Sequence, residues 1–136
     1  DAVAAAGVDV TGVALQDASG LTAADQAPAR VLSDVLDLAV SGRRPGLTRA
    51  VAALPVAALT GTLSDRFSDP AATLGAGLVR AKTGTLIGAN ALAGTVVTRD
   101  GRLLVFAALA AGPEGTDQVR TALDRLGATL VTCGCR

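Results

Sequence analysis

The chain has 136 residues, about one domain by length, with twelve basic side chains balancing twelve acidic ones and no histidine, methionine, tryptophan or tyrosine. Without histidine it holds no Ser/His/Asp or Cys/His nucleophilic pair, and two cysteines alone do not complete a zinc site. With zero net charge and two phenylalanines as its only aromatics, it offers neither a phosphate-tracking stripe nor a base-stacking platform, which argues against nucleic acid as a partner.

Half of the residues are hydrophobic and the mean hydropathy is +0.48. The apolar runs Val51 to Leu59 and Leu103 to Ala111 are far short of the ~20 residues that span a bilayer. A domain of this size buries roughly two thirds of its unfolded surface, yet a core rich in alanine is thin per residue, so the chain is expected to pack against something else. It begins at Asp1 with no initiator methionine and no charged-then-apolar leader, and reads as a mature segment from which earlier sequence was removed.

In chain order, Asp1 to Gly7 reads as the end of an alanine-rich helix, and Val8, Val10 and Val13 suggest a short extended segment before the loop Gln16 to Leu21. Pro28 stands where a first-turn proline belongs, and Val31, Leu32, Val35, Leu36 and Ala39 recur at helical spacing up to Gly42. A short helix ending near Leu54-Pro55 and a polar loop with one helical turn from Thr60 to Pro70 follow. From Gly77 the texture becomes strand: Leu78 to Thr85, Ala91 to Thr98 and Arg102 to Leu109, the last two joined by a hairpin at Arg99-Asp100-Gly101. A final helix from about Thr116 places Val119, Leu123, Leu126 and Leu130 on one stripe, weakened slightly by Gly127. The expected class is α+β, with antiparallel strands, flanking helices and a C-terminal helix on the sheet.

The sharpest chemical feature is Lys82-Thr83-Gly84 at a strand end, followed by Thr85. Lys82 is the only lysine against eleven arginines, and its compact, titratable ammonium is what a guanidinium does not imitate. A lysine closing an ordinary strand is the alternative reading. Serine enzymes that bind penicillin carry Lys-Thr-Gly beside Ser-x-x-Lys and Ser-x-Asn motifs. The ammonium there attracts the substrate carboxylate, the threonine hydroxyl hydrogen-bonds it, the glycine lets another backbone approach, and the next amide N–H is an oxyanion donor.

Asp17-Ala18-Ser19-Gly20-Leu21-Thr22 resembles the Asp-Gly-Ser-Gly-Leu-Ser loop of the class C low-molecular-mass penicillin-binding proteins, the D-alanyl-D-alanine carboxypeptidase/endopeptidase family. Leu54-Pro55-Val56-Ala57, Gly61-Thr62-Leu63 with Arg66, Val79 to Leu86, Ala91 to Gly94 and Asp100 to Arg102 look like that family too, in its order. The resemblance implies the fold of a penicillin-binding, serine β-lactamase-like domain, with Lys82, Thr83 and Gly84 as its third catalytic motif. Thr85, Ser19 and Asp17 would contact substrate; no metal or cofactor is implied. The loop at Asp17 to Thr22 departs at Ala18 and Thr22, and a plain turn held by Asp17 and Ser19 is the other reading.

The remaining motifs are missing. None of Ser19, Ser33, Ser41, Ser64 and Ser68 has lysine three residues on, and the only asparagine, Asn90, follows Gly88 where a serine would stand. The whole of residues 1 to 136 is therefore expected to be the C-terminal portion of a larger enzyme, inert without an upstream segment that carries Ser-x-x-Lys and Ser-x-Asn. The implied reaction is hydrolysis of D-Ala-D-Ala or cross-link peptide bonds of peptidoglycan through an acyl-enzyme, outside the cytoplasmic membrane, with stem peptide and β-lactams as ligands. A non-catalytic module that binds wall peptide, or is purely structural, is the rival. Arg30 and Arg49 are candidates to touch peptide but are read as solvating helix faces, and Asp65 with Arg66 as a local surface pair. Cys133-Gly134-Cys135 admits a strained internal ring, bridges to the upstream segment or free thiols; the extracytoplasmic setting of the family favours a disulfide.

Overall fold

Three antiparallel strands, β1 (Val79–Leu86), β2 (Ala89–Val97) and β3 (Leu103–Ala111), form a sheet in the order β1-β2-β3 in the computed structural model, which describes residues 2–113 and 115–133. Helices α1 (Ala2–Ala5), α2 (Ala29–Val40) and α3 (Pro45–Ala52) precede the sheet and α4 (Thr116–Leu130) follows it, so the architecture is the α+β arrangement expected from sequence. Among the described residues no helix is long and apolar enough to cross a membrane.

The ladder fixes which side chains share a face, because paired residues point the same way. Val79, Ala81 and Thr83 of β1 stand opposite Val96, Gly94 and Leu92 of β2, and the last two stand opposite Phe106 and Ala108 of β3. That face meets α4: Val79, Ala81, Leu92, Val96 and Phe106 are buried in one cluster with Leu123, Ala128 and Val131. The opposite face carries Lys82 and its partner Ala93, and α2 packs there against β2 and β3. A smaller cluster joins Val31 and Leu38 of α2 to Val8, with Ala6, Val13 and Leu47 around it.

The β2–β3 connection is the hairpin expected at Arg99-Asp100-Gly101. Thr98 closes it: its N–H donates to Arg102 O at 2.8 Å, its O accepts from Gly101 N–H at 2.9 Å, and its Oγ1 accepts from Arg102 N–H at 3.1 Å, while Gly101 takes φ +78°. The β1–β2 connection is tighter than the sequence suggests. Leu86 pairs directly with Ala89, leaving a two-residue turn of Ile87 and Gly88, with Gly88 at φ +74° and Ile87 wholly exposed. An isoleucine at a hairpin tip hides the turn from a reading based on turn residues.

Other expectations are corrected. The extended segment at Val8, Val10 and Val13 makes no strand, only an isolated bridge between Ala14 and Gln26, because Gly7 and Gly12 turn the chain at positive φ. The stretch Thr60 to Pro70 does contain one helical turn, Gly61–Leu63, but it is no polar surface loop: Leu63 and Phe67 are among the best buried side chains of the fold. The stripe on α4 is rotated, since Leu126 is exposed while Asp124, Gly127 and Ala128 are buried beside Leu123. Gly127, about 1 kcal/mol worse than alanine in a helix, has a packing reason. A Cβ there would lie 3.4 Å from the Phe67 ring, and one at Gly75 only 2.6 Å from it, so two glycines flank that ring.

The loop that holds Phe67 is clamped to α4 by a buried ion pair. Arg66 donates through Nε and Nη2 to both oxygens of Asp124, at 2.6 to 3.1 Å, and through Nη2 to the backbone O of Arg120 at 3.1 Å. The Phe67 N–H donates to Asp124 Oδ2 at 3.1 Å, which steadies a non-glycine residue at φ +62°. Arg66 therefore pairs with Asp124, 58 residues on, and not with Asp65. Arg30 likewise does more than solvate a helix: it reaches Asp9 O, Thr11 O and the carboxylates of Asp9 and Asp34, tying the N-terminal loop to α2. Cys133 is in a disulfide, and Cys135 lies outside the described residues.

Candidate active site

The site follows from how one edge of β1 is covered and then released. Pro55 to Ala57 run beside the start of the strand, with Ala81 N–H donating to Pro55 O and Ala57 N–H donating to Val79 O, both at 2.9 Å. In an antiparallel ladder outward and inward backbone groups alternate. The alternation that sends the Ala81 N–H outward to Pro55 sends those of Thr83 and Thr85 outward as well, beyond the point where Pro55 to Ala57 end. An open strand edge thus begins at Lys82-Thr83-Gly84-Thr85.

A groove of about 860 Å³ runs along this edge, lined by Lys82, Thr83, Gly84 and Thr85, by Ser19, Gly20 and Leu21 from the N-terminal loop, and by Thr62, Arg66 and Arg120. Lys82 is exposed on the α2 face and its Nζ donates to Thr83 O at 2.7 Å, which draws the ammonium back along its own strand. Thr83 Oγ1 donates to Thr62 Oγ1 at 3.1 Å. A donor hydroxyl and a cation are thereby adjacent at the edge, followed two residues later by an outward amide N–H, a set that can hold a carboxylate and polarise a carbonyl. Gly84 keeps the middle of the edge low: a Cβ there would lie 3.2 Å from the Cβ of Ala91.

Of Lys82, Thr83, Gly84, Thr85, Ser19 and Asp17, the groove gathers all but Asp17. Ser19 reaches it, whereas both carboxylate oxygens of Asp17 serve the loop itself. Oδ1 accepts from the Ser19 N–H and from Ser19 Oγ at 2.7 Å, Oδ2 accepts from Thr22 Oγ1 at 2.8 Å, and Ser19 Oγ in turn accepts from Leu21 N–H at 3.0 Å. Asp17 thus positions Ser19 rather than lining the groove. The hydrogen bonds from Ser19, then from Thr22, hold its carboxyl below the ordinary value of 3.8. A lowered carboxyl favours the ordered loop above that ordinary value, and the advantage disappears as pH falls through the folded pKa. Acidification below about 3.8 should therefore shift the Ser19 and Leu21 amide resonances together with the Asp17 carboxyl, and Asp17→Asn should abolish that titration; amides that titrate unchanged in Asp17→Asn would refute the assignment.

Thr62 and Arg120 are the site residues that sequence reasoning passed over. Thr62 carried a signal, since Gly61-Thr62-Leu63 is one of the segments on which the family resemblance rests; Arg120 carried none. Asn90, opposite Thr85 in the ladder, is buried, and its Oδ1 lacks a hydrogen-bond partner among the described residues. On the other side of Lys82, an apolar groove of about 380 Å³ is lined by Val31, Leu32, Val35 and Leu36 of α2 with Leu54 and Ala93. Among the described residues no three His, Cys, Asp or Glu side chains gather in a metal-binding group.

Known proteins are similar to this chain in sequence and in fold. The model of the family described as "D-Ala-D-Ala carboxypeptidase 3 (S13)" matches residues 1–130. Carboxypeptidase DacB of Mycolicibacterium smegmatis is 46% identical over 132 residues, covering 95% of this chain and 28% of that protein. A D-alanyl-D-alanine carboxypeptidase of Actinomadura sp. is 38% identical over 108 residues, 76% of this chain and 19% of that protein. Penicillin binding protein 4 (dacB) of Haemophilus influenzae, solved in complex with a β-lactam, superposes with a TM-score of 0.76 at 25% identity over 95% of this chain and 30% of its own. The chain spans less than a third of the length of these relatives. On the strength of a match from its first residue to the end of α4, it belongs to the D-Ala-D-Ala carboxypeptidase 3 family.

Proposed function

We propose that residues 1 to 136 form the C-terminal portion of a serine-type D,D-carboxypeptidase and endopeptidase of peptidoglycan that works outside the cytoplasmic membrane. The observation that carries this reading is the open edge of β1, where Lys82, Thr83, Gly84 and the outward Thr85 amide line one groove with Ser19. The nucleophile belongs to an upstream segment bearing Ser-x-x-Lys and Ser-x-Asn. The serine hydroxyl adds to the scissile carbonyl, the C–N bond breaks as the departing amine takes a proton, and water then cleaves the acyl-enzyme. This chain's share is to hold the stem peptide. Lys82 and Thr83 bind the carboxylate beyond the scissile bond, Thr85 N–H donates to the developing oxyanion, and Gly84 admits the peptide backbone against the strand. A β-lactam, with its own carboxylate, occupies the same contacts.

Fluorescent penicillin tests the reading in the complete protein. The label should map to a serine outside residues 1 to 136, and D-Ala should be released from a peptide ending in D-Ala-D-Ala. A folded protein that takes no label and releases no D-Ala would make the chain a structural or peptide-binding module instead.

A further inference from the structure

The groove beside β1 holds more positive charge than Lys82 supplies. Its lining includes Arg66 and Arg120 and, among the described residues, no aspartate or glutamate. Arg66 is neutralised by its buried bidentate pairing with Asp124. Among the described residues Arg120 has no such partner. It pairs instead with Asp117 Oδ1 at 3.6 Å, on a side chain that is 96% exposed. An i, i+3 surface pair of this kind is weak and easily exchanged for a better anion. The backbone beneath Arg120 is nevertheless rigid, because Arg66 Nη2 donates to its carbonyl oxygen at 3.1 Å from within the clamp. A fixed turn of helix therefore presents a guanidinium at the groove on the α4 side of the sheet, the face toward which Thr83 points.

We propose that Arg120 is a specificity-determining residue that binds the free carboxylate next to the scissile amide, together with Thr83 and Lys82, so that the groove selects peptides ending in a carboxylate over neutral ones. The inference rests on the carboxypeptidase reading and adds a residue to it. A guanidinium presents forked donors that match a carboxylate in two parallel hydrogen bonds, whereas an ammonium acts as a point charge. Lys82 and Arg120 from opposite faces of β1 would bracket the anion, with the Thr83 hydroxyl between them.

The test compares a peptide ending in D-Ala-D-Ala with its C-terminal amide in the complete protein. Arg120→Gln should raise KM for the acid about tenfold, the scale of losing one charge-assisted hydrogen bond, leave kcat within about twofold, and leave the amide unaffected. Arg120→Lys should restore part of the preference. Asp117→Asn, which releases Arg120 from its surface partner, should lower KM for the acid, and added salt should erode that gain. Equal loss on acid and amide in both Arg120 variants would show a structural role and overturn the proposal, as would an unchanged acid-to-amide ratio, while hydrolysis by the unsubstituted protein leaves the carboxypeptidase reading standing. If the unsubstituted protein hydrolyses neither peptide and takes no penicillin, the carboxypeptidase reading fails and this inference falls with it.

Discussion

Lys82→Ala in the complete protein is expected to lower the second-order rate of penicillin acylation by about two to three powers of ten, the effect of removing one preorganised electrostatic contact from a transition state. The ammonium sits at the released edge of β1 with Nζ held against the Thr83 carbonyl, 2.7 Å away, so it needs no large rearrangement to meet an anion in the groove. Lys82→Arg keeps the charge but replaces a compact donor by a larger fork, and should recover only part of the rate. Thr83→Val removes one neutral hydroxyl and should cost about 0.5 to 1.5 kcal/mol of the barrier. Because Lys82 is exposed and contributes nothing to either hydrophobic cluster, the thermal midpoint should stay that of the unsubstituted protein. A folded Lys82→Ala protein that acylates at the full rate would remove this strand from the active site.

The largest stability effect should come from the clamp on α4. Asp124→Ala leaves the Arg66 guanidinium buried without its counterion and orphans the Phe67 N–H, a combination expected to cost about 3 to 5 kcal/mol. The paired change Arg66→Met with Asp124→Leu removes both charges together and should recover the part of that loss due to the unpaired charge, since an apolar pair of similar volume is often no worse than a buried ion pair, while the Phe67 N–H stays unpaired. Denaturant unfolding of the single and double variants measures the difference. A single-variant loss of only about 0.5 kcal/mol, as for an ordinary surface substitution, would mean that the pair does not hold the helix. Acylation should fall in step with stability, because the clamp also fixes the turn of α4 beneath Arg120 and the loop that begins at Thr62.

What the sequence made legible was the part governed by local rules. Alternating strands, the Asp100-Gly101 turn and the amphipathic repeat of α2 are short-range patterns, and Lys82-Thr83-Gly84 stands out through the family resemblance and as the place of the only lysine. Residues whose roles depend on distant partners were not legible. Arg66 finds Asp124 across 58 positions, and nothing near either residue announces the other. Phe67 adopts a left-handed backbone that sequence preference disfavours, and it does so because tertiary contacts on both sides of its ring outweigh that preference. Ile87 at the hairpin tip inverted the usual turn chemistry. Thr62 and Arg120 become neighbours of the motif only when the helical turn at Gly61 and the rotated face of α4 are brought to the same edge.

The clamp also imposes an order in time. Helix α4 is made after every other element of this chain, so at a translation rate of about 5 to 20 residues per second Arg66 and Phe67 wait several seconds before Asp124 and Gly127 exist. During that interval an arginine destined for burial is solvated, a phenylalanine lacks one wall of its pocket, and the loop carrying Thr62 has no anchor. The groove beside Lys82 can therefore take its shape only after synthesis has passed Gly127, so the edge of β1, although made earlier, waits on a helix made later.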